Sequence, residues 1–163
     1  QLALADYGRA IEINPNFRLA YSSRGAVYLL QGELDLAIAD LDRATELDPN
    51  IASTYVNRGE INAAAGNLNS AVEDYDRAIS IDPTDLDAYV NRGSAYDDMG
   101  RFEEAISDYT TALLLAPDSP TLHFNRGASY HAQGDLLNTL ADFETAIFLD
   151  SSSAAWYNLG VAH

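Results

Sequence analysis

A repeat of 34 residues constrains this chain more than any other feature of its sequence. An Arg-Gly pair, a second glycine and a proline all recur at that interval. The positions are Arg24-Gly25, Arg58-Gly59, Arg92-Gly93 and Arg126-Gly127, then Gly32, Gly66, Gly100 and Gly134, and Pro15, Pro49, Pro83 and Pro117. A fixed period of this length is typical of a solenoid, in which each repeat is one supersecondary unit that buries its apolar face against its neighbours.

Each repeat is predicted to contain two amphipathic helices. Tyr21, Gly25 and Tyr28 follow the spacing i, i+4, i+7, which places them on one helical face. The same spacing recurs in the second half of the repeat at Ala37, Leu41 and Ala44. The second glycine lies between the two patterns and is expected to end the first helix in the left-handed conformation.

These residues carry a specific resemblance. The segment Tyr55-Val56-Asn57-Arg58-Gly59, followed by Gly66, Ala71, Tyr75, Ala78 and Pro83, resembles the tetratricopeptide repeat in a variant that carries Asn-Arg-Gly. The resemblance covers essentially the whole chain. It implies an all-α fold, a right-handed superhelical solenoid of antiparallel helix hairpins.

The period predicts one solenoid over residues 1–163. Residues 1–17 correspond to the second helix of a truncated repeat, and residues 153–163 to a truncated first helix. The full repeats are 18–51, 52–85, 86–119 and 120–152. We expect residues 153–163 of one molecule to dock near residues 1–14 of another, which gives head-to-tail self-association.

The charge balance narrows the class of partner. The chain has 25 acidic and nine basic residues, all nine of them arginine, and a net charge of −16. Such a chain repels phosphate, so nucleic acid and anionic membranes are poor partners. A protein or peptide with basic residues is favoured instead. Since there is no cysteine, the sequence does not separate oxidising from reducing compartments; a cytoplasmic location is favoured, and periplasmic and organellar locations stay open.

The sequence contains no recognisable catalytic or metal-binding constellation. The histidines are His123, His131 and His163, and the first two are eight residues apart. Two ligands on one helical face would need a spacing of four. No glycine loop of the phosphate-binding kind is present, because the glycines belong to the repeat. We therefore expect no metal, no cofactor and no enzymatic activity.

The repeated arginines are expected to form buried ion pairs. Each lies beside the apolar stripe of a first helix, and an aspartate has the equivalent place in each second helix. A charge on an apolar stripe is tolerated only when it is paired. The predicted pairs are Arg24 with Asp40, Arg58 with Asp74, Arg92 with Asp108, and Arg126 with Asp142. Arginines that grasp a ligand are the alternative.

A second series of residues is the candidate binding site. The resemblance implies that first helices line a concave groove, and an asparagine recurs on them at Asn57, Asn91, Asn125 and Asn158. An amide both donates and accepts, so it can hold the backbone of an extended peptide. The neighbouring groove residues are predicted to be Val56, Val90 and Phe124, which are apolar, and Glu60, Asp87, Ser94 and Asp98, which are polar or acidic. Packing of the asparagines between helices is the alternative.

We therefore interpret the chain as an adaptor or scaffold that binds a peptide or partner protein in this groove. Two alternatives stay open. One is the substrate-recruiting arm of a larger enzyme, such as the asparagine-lined repeats of protein glycosyltransferases, and the other is a structural module that self-assembles.

Overall fold

A computed structural model describes residues 2–150, and that part of the chain forms two compact units. The first unit extends to Ala88 and the second begins at Tyr89. The described residues form nine helices and no strand. They are α1 (Leu2–Ile13), α2 (Arg18–Leu30), α3 (Leu34–Leu47), α4 (Ala52–Ala64), α5 (Leu68–Ile81), α6 (Leu86–Asp98), α7 (Phe102–Leu115), α8 (Pro120–Gln133) and α9 (Leu136–Leu149).

Consecutive helices pair as hairpins. In the first unit α2 packs against α3 and α4 against α5, and in the second unit α8 packs against α9. Further contacts join α1 to α2, α3 to α4, and α7 to α8, so that a second helix also contacts the first helix that follows it. The predicted all-α fold of helix hairpins is confirmed.

The turn inside each hairpin depends on a glycine with positive φ. Gly32 has φ of 76°, and its backbone N–H donates to the Leu29 carbonyl at 3.0 Å. The N–H of Glu33 then donates to the Tyr28 carbonyl, also at 3.0 Å. These bonds satisfy carbonyl groups at the helix end that the helix itself leaves without a partner. Residues with a Cβ are strained in this conformation, which explains why the glycine keeps the period.

The second helices of the first unit end where a proline follows. Asp48 and Asp82 take up extended backbone conformations, because the ring of the next residue disfavours helical geometry. Asp82 also caps the loop, since its carboxylate accepts from the backbone N–H of Thr84 at 2.9 Å. The hairpins are therefore separated by short, defined breaks.

Small and large residues alternate in the core. Ala37, Ala44, Ala71 and Ala78 are fully buried and allow helices to approach closely, as are their counterparts Ala105 and Ala112 in the second unit. The larger buried side chains are Leu41, Ile61, Tyr75 and Tyr109. Within the described part of the chain, no helix combines the length and the apolar character that crossing a membrane requires.

Candidate peptide-binding surface and the ion pairs beneath it

The repeated arginines of the first unit point into the hairpins. Arg24 donates from Nε and Nη2 to the two carboxylate oxygens of Asp40, each at 2.7 Å. Arg58 donates from Nε to Asp74 at 3.0 Å. The Asp40 and Asp74 residues are only 5% and 4% exposed. The hydrogen bonds to these carboxylates raise the pKa of Arg24 and of Arg58 above its ordinary value, against the opposite effect of burial.

The second unit repeats the arrangement. Arg92 donates from Nε and Nη2 to Asp108, both at 2.7 Å, and Arg126 binds Asp142 in the same forked manner at 2.7 and 2.8 Å. Two parallel bonds of this kind are the strong form of an arginine–carboxylate contact. Because their guanidinium groups bind these carboxylates, we do not include the repeated arginines in the candidate binding surface.

Aromatic rings flank the arginines. Sequence reasoning did not identify these contacts. The guanidinium carbon of Arg24 lies 5.8 Å from the ring centre of Tyr21 and 5.9 Å from that of Tyr28. In the second unit Arg92 has the same relation to Tyr89 and Tyr96, at 5.7 and 5.9 Å. Cation–π attraction therefore adds to the ion pairs. The signal was present, since these tyrosines lie three residues before and four after the arginine.

The pairs differ in their additional partners. The Asn62 amide donates to Asp74 at 3.0 Å, and Arg58 also reaches Asp42 of the preceding hairpin at 2.8 Å. In the second unit His123 Nδ1 lies 3.0 Å from Asp142. Burial alone would raise the pKa of Asp142, but the hydrogen bonds from Arg126 and His123 outweigh it and hold this pKa below its ordinary value.

The candidate surface of the first unit lies on α4. Asn57 is half-buried there, and Ser53 and Glu60 are exposed. The three residues follow the spacing i, i+4, i+7 and therefore share one helical face. Val56 was expected to add an apolar contact, but it is only 6% exposed and packs inside the unit. We exclude Val56 from the surface for this reason.

The candidate surface of the second unit involves α6 and α8. Asn91, Ser94 and Asp98 follow one face of α6; the asparagine is half-buried and the other two are exposed. On α8 the candidates are Asn125, which is half-buried, and Phe124, which is 42% exposed. The Phe124 ring stacks on Phe143 of α9 with centroids 5.3 Å apart, so part of it is already covered.

Three further residues were predicted to belong to the binding site, namely Val90, Asp87 and Asn158. Val90 is half-buried on α6, and Asp87 is exposed in the first turn of that helix and belongs to the first unit. Asn158 lies outside the described residues, as does the segment 153–163.

A partly buried polar contact joins α6 and α8. The hydroxyl of Ser129 donates to the Asp97 carboxylate at 2.7 Å, and the hydroxyl of Tyr109 donates to it at 3.0 Å. Burial raises the pKa of Asp97, and these two hydrogen bonds offset part of the rise. Sequence reasoning missed this cluster. The sequence does contain a signal for it, since Ser129 occupies a repeat position that is apolar in earlier repeats, at Val27 and Ile61.

A small polar pocket lies beside the Arg58 pair in the first unit. It has a volume of about 220 Å³ and is lined by Ile38, Asp42, Arg58, Asn62, Ser70, Glu73 and Asp74. The residues that line it come from α3, α4 and α5 and do not include Ser53, Asn57 or Glu60, so the pocket is distinct from the candidate surface on α4. Among residues 2–150 no group of three or more His, Asp or Glu side chains is arranged to hold a metal ion.

The helix hairpins, their period and the buried ion pairs define a repeat protein of the helical-hairpin class. The family model described as "TPR repeat" matches residues 59–100 and 93–134, and the model described as "Tetratricopeptide repeat" matches residues 19–51. The chain belongs to the tetratricopeptide repeat family. The expected resemblance to the tetratricopeptide repeat is thereby confirmed.

Solved structures support the same fold. A crystal structure of MamA has a TM-score of 0.87 and 24% sequence identity, covering 93% of this chain and 88% of that chain. MamA from Desulfovibrio magneticus RS-1, residues 41 to the end, has a TM-score of 0.86 and 20% identity, covering 92% and 85%. The MamA MSR-1 C2 structure has a TM-score of 0.74 and 25% identity over 81% and 76%. No curated protein sequence matches this chain.

Proposed function

We propose that this chain is a protein-interaction scaffold whose first helices bind an extended, basic segment of a partner protein. The observation that carries the proposal is the composition of the partly exposed first-helix faces. Amides and carboxylates alternate there, with Asn57 and Glu60 in the first unit and Asn91, Asp98 and Asn125 in the second. Membership of the tetratricopeptide repeat family supports a role in protein interaction.

The amides supply recognition of a peptide backbone. An asparagine side chain offers two donors and one carbonyl acceptor, which match the backbone groups of an extended peptide irrespective of its side chains. Each such hydrogen bond contributes about 0.5–1.5 kcal/mol net. Within the second unit, the amides of Asn91 on α6 and Asn125 on α8 fit a partner segment that spans more than one repeat.

The carboxylates supply preference for a basic partner. Four of the nine arginines form internal pairs with aspartate, and the whole chain still has a net charge of −16. Glu60 and Asp98 are exposed, and the net charge of the chain makes the electrostatic potential around them negative. Attraction between them and basic residues is screened over about 8–10 Å at physiological ionic strength.

Binding to a peptide array at low and high salt tests the proposal. Asn125→Ala is expected to weaken many peptides alike, because it removes a contact to the peptide backbone. Asp98→Asn is expected to weaken basic peptides selectively and to reduce the salt dependence of their binding. Asp98 is exposed, Asn125 is half-buried, and neither belongs to the Arg126–Asp142 pair, so circular dichroism of the variants should be unchanged.

Matched controls are available on other parts of the chain. Asn69→Ala removes an exposed amide from a second helix, and Asp118→Asn removes one negative charge from the loop before α8. Neither should alter the array pattern. A preference for acidic peptides, or equal effects of the site and control variants, would overturn the proposal.

A further inference from the structure

The polar pocket of the first unit lies where one residue departs from the repeat. A tyrosine recurs four residues after the motif arginine, at Tyr28, Tyr96 and Tyr130, but Asn62 takes its place in the second full repeat. The centres of the tyrosine rings lie 5.9, 5.9 and 6.0 Å from the guanidinium carbons of their arginines, so these rings occupy space beside the ion pairs. The shorter Asn62 side chain does not fill the equivalent space beside Arg58, and the pocket of about 220 Å³ lies there.

This pocket has a buried floor and an exposed mouth. Asn62 and Asp74 are only 8% and 4% exposed, whereas Asp42, Ser70 and Glu73 are exposed. The pocket volume is larger than the about 30 Å³ of one water molecule and smaller than the about 300 Å³ at which pockets for drug-sized ligands begin. Its size therefore suits the end of a single side chain that enters from solvent.

Three hydrogen-bond acceptors in the pocket have no protein partner. The Asn62 amide donates from Nδ2 to Asp74 at 3.0 Å, but its Oδ1 accepts no hydrogen bond within residues 2–150. In the same part of the chain the Ser70 hydroxyl makes no hydrogen bond and the Glu73 carboxylate makes no ion pair. Because a polar atom on a side chain as buried as Asn62 normally has a partner, the pocket favours an occupant that donates hydrogen bonds.

The charge of the lining favours a cation. Three carboxylates, those of Asp42, Glu73 and Asp74, stand against the single guanidinium of Arg58, which leaves a net charge of −2. Arg58 donates to both Asp74 and Asp42, so it is already engaged. Of the seven lining residues only Ile38 is apolar. An apolar occupant would cover the acceptors without replacing their hydrogen bonds to water, and an anion would be repelled.

We propose that this pocket binds the ammonium group of a lysine side chain from a partner protein. The three N–H donors of the ammonium match the three acceptors, Asn62 Oδ1, Ser70 Oγ and the Glu73 carboxylate. Arginine fits less well, because its planar fork is suited to both oxygens of one carboxylate, and Asp74 already makes that contact with Arg58. The site is separate from the first-helix faces and does not depend on the function proposed for them.

Titration of the full chain with small lysine derivatives tests the proposal. The probe is Nα-acetyl-lysine methylamide, and the matched control is the norleucine derivative, which has the side-chain carbons of lysine without the ammonium group. Backbone amide shifts of Ser70 and Glu73 in ¹H–¹⁵N NMR spectra report binding. We expect the norleucine derivative to bind about tenfold more weakly or worse, because hydrogen bonds from a charged donor are lost. The arginine derivative should also bind more weakly than the lysine derivative.

Variants of the chain locate the binding. Asn62→Tyr introduces the ring that the other repeats have and should abolish binding of the lysine derivative. It should fold normally, as urea unfolding can verify, because three repeats combine this tyrosine with the same arginine–aspartate pair. Glu73→Gln should weaken binding about two- to fivefold, since Glu73 is exposed. Glu12→Gln removes an exposed acid of α1 that does not line the pocket, and should have no effect.

Several results would overturn the proposal. They are no binding of the lysine derivative, equal binding of the norleucine derivative, tighter binding of the arginine derivative, unchanged binding by Asn62→Tyr, or equal effects of Glu73→Gln and Glu12→Gln. None of them concerns the peptide-array response of the Asn125 and Asp98 variants, so failure of this proposal and failure of the proposed function are distinguishable.

Discussion

The α4–α5 hairpin of the first unit and the α8–α9 hairpin of the second place the same ion pair in different surroundings. In the first, Asp74 accepts from Arg58 and from the neutral amide of Asn62. In the second, Asp142 contacts Arg126 and the imidazole ring of His123. The repeat fixes the arginine and the aspartate, while the third partner varies between hairpins.

The outer end of the arginine differs as well. Arg58 reaches the carboxylate of Asp42 in the preceding hairpin at 2.8 Å, whereas Arg126 reaches the hydroxyl of Thr110 at 3.1 Å. The same motif residue therefore has a charged outer partner in one hairpin and a neutral one in the other. The comparison shows that the contribution of a repeated pair to stability must be derived from its neighbours rather than from the motif.

The largest expected effect comes from removing the arginine. Arg58→Ala leaves Asp74 buried with only a neutral amide, and should lower the free energy of unfolding by about 3–5 kcal/mol. Arg126→Ala should cost less, because the His123 ring still lies 3.0 Å from the Asp142 carboxylate and can donate a hydrogen bond to it. Urea unfolding of both variants at pH 7 measures the difference.

The control replaces both members of the pair. Arg58→Leu together with Asp74→Leu removes the two charges and should restore most of the loss, since no unpaired charge stays buried. If Arg58→Ala leaves the unfolding curve unchanged, or if the double variant is worse than the single one, the pair does not have the structural role that we assign to it.

The next effect depends on pH and concerns Asp142. Its folded pKa is lowered, so the pair stabilises the fold above the ordinary aspartate pKa of about 3.9 and loses this contribution as pH falls through the folded value. Asp142→Asn should therefore cost about 1.5–3 kcal/mol at pH 7. The cost should shrink below about pH 4, as measured by urea unfolding along a pH series.

Asp97, in the same unit, serves as a control because its pKa is shifted in the opposite direction. Burial raises its pKa, so its ionisation opposes folding as pH rises above the ordinary value. Relative to the unchanged chain, Asp97→Asn should therefore gain stability as pH rises from acid to 7, whereas Asp142→Asn should lose it. A parallel pH response of the two asparagine variants would contradict the opposite signs that we assign to Asp97 and Asp142.

A smaller effect is expected from the packing of the motif glycine. An added Cβ at Gly59 would meet the Tyr75 ring at 2.5 Å, and Tyr75 is 1% exposed. Overpacking of this kind costs about 1–3 kcal/mol, against about 1 kcal/mol of improved helix propensity. Gly59→Ala should therefore lower stability by up to about 2 kcal/mol in thermal unfolding.

Gly127 of the second unit provides a comparison for Gly59. Its added Cβ would lie 2.8 Å from Phe143, a half-buried ring stacked on a partly exposed one, so this ring can shift more easily. Gly127→Ala should be milder than Gly59→Ala. Combining Gly59→Ala with Tyr75→Leu, the residue type found at Leu41, should recover part of the loss. Equal losses at both glycines would contradict the role of the ring.

The period predicted most of the fold because each repeat encodes its own hairpin. The positive φ of Gly32 and the breaks at Asp48 and Asp82 follow from local backbone chemistry. The binding surface was less predictable, since exposure depends on packing between helices. Val56 shows this: an apolar residue beside Asn57 on the predicted groove proved to be buried. The Asp97–Ser129 contact joins residues 32 apart, a relation that no single-helix pattern contains.

The smallest expected effect tests the outer partners of the two arginines. Thr110→Asp would give Arg126 the carboxylate that Arg58 has in Asp42, and Asp42→Thr would give Arg58 the hydroxyl that Arg126 has. Both sites are largely exposed, with the Asp42 side chain at 53%, so water and salt screen the interaction. We expect about 0.2–1 kcal/mol gained at position 110 and a similar loss at position 42, both diminished in high salt. Thr111→Asp, one residue further along α7, is the control for the added charge alone. If it stabilises the chain as much as Thr110→Asp does, or if neither exchange responds to salt, the outer partners do not account for the difference between the two hairpins.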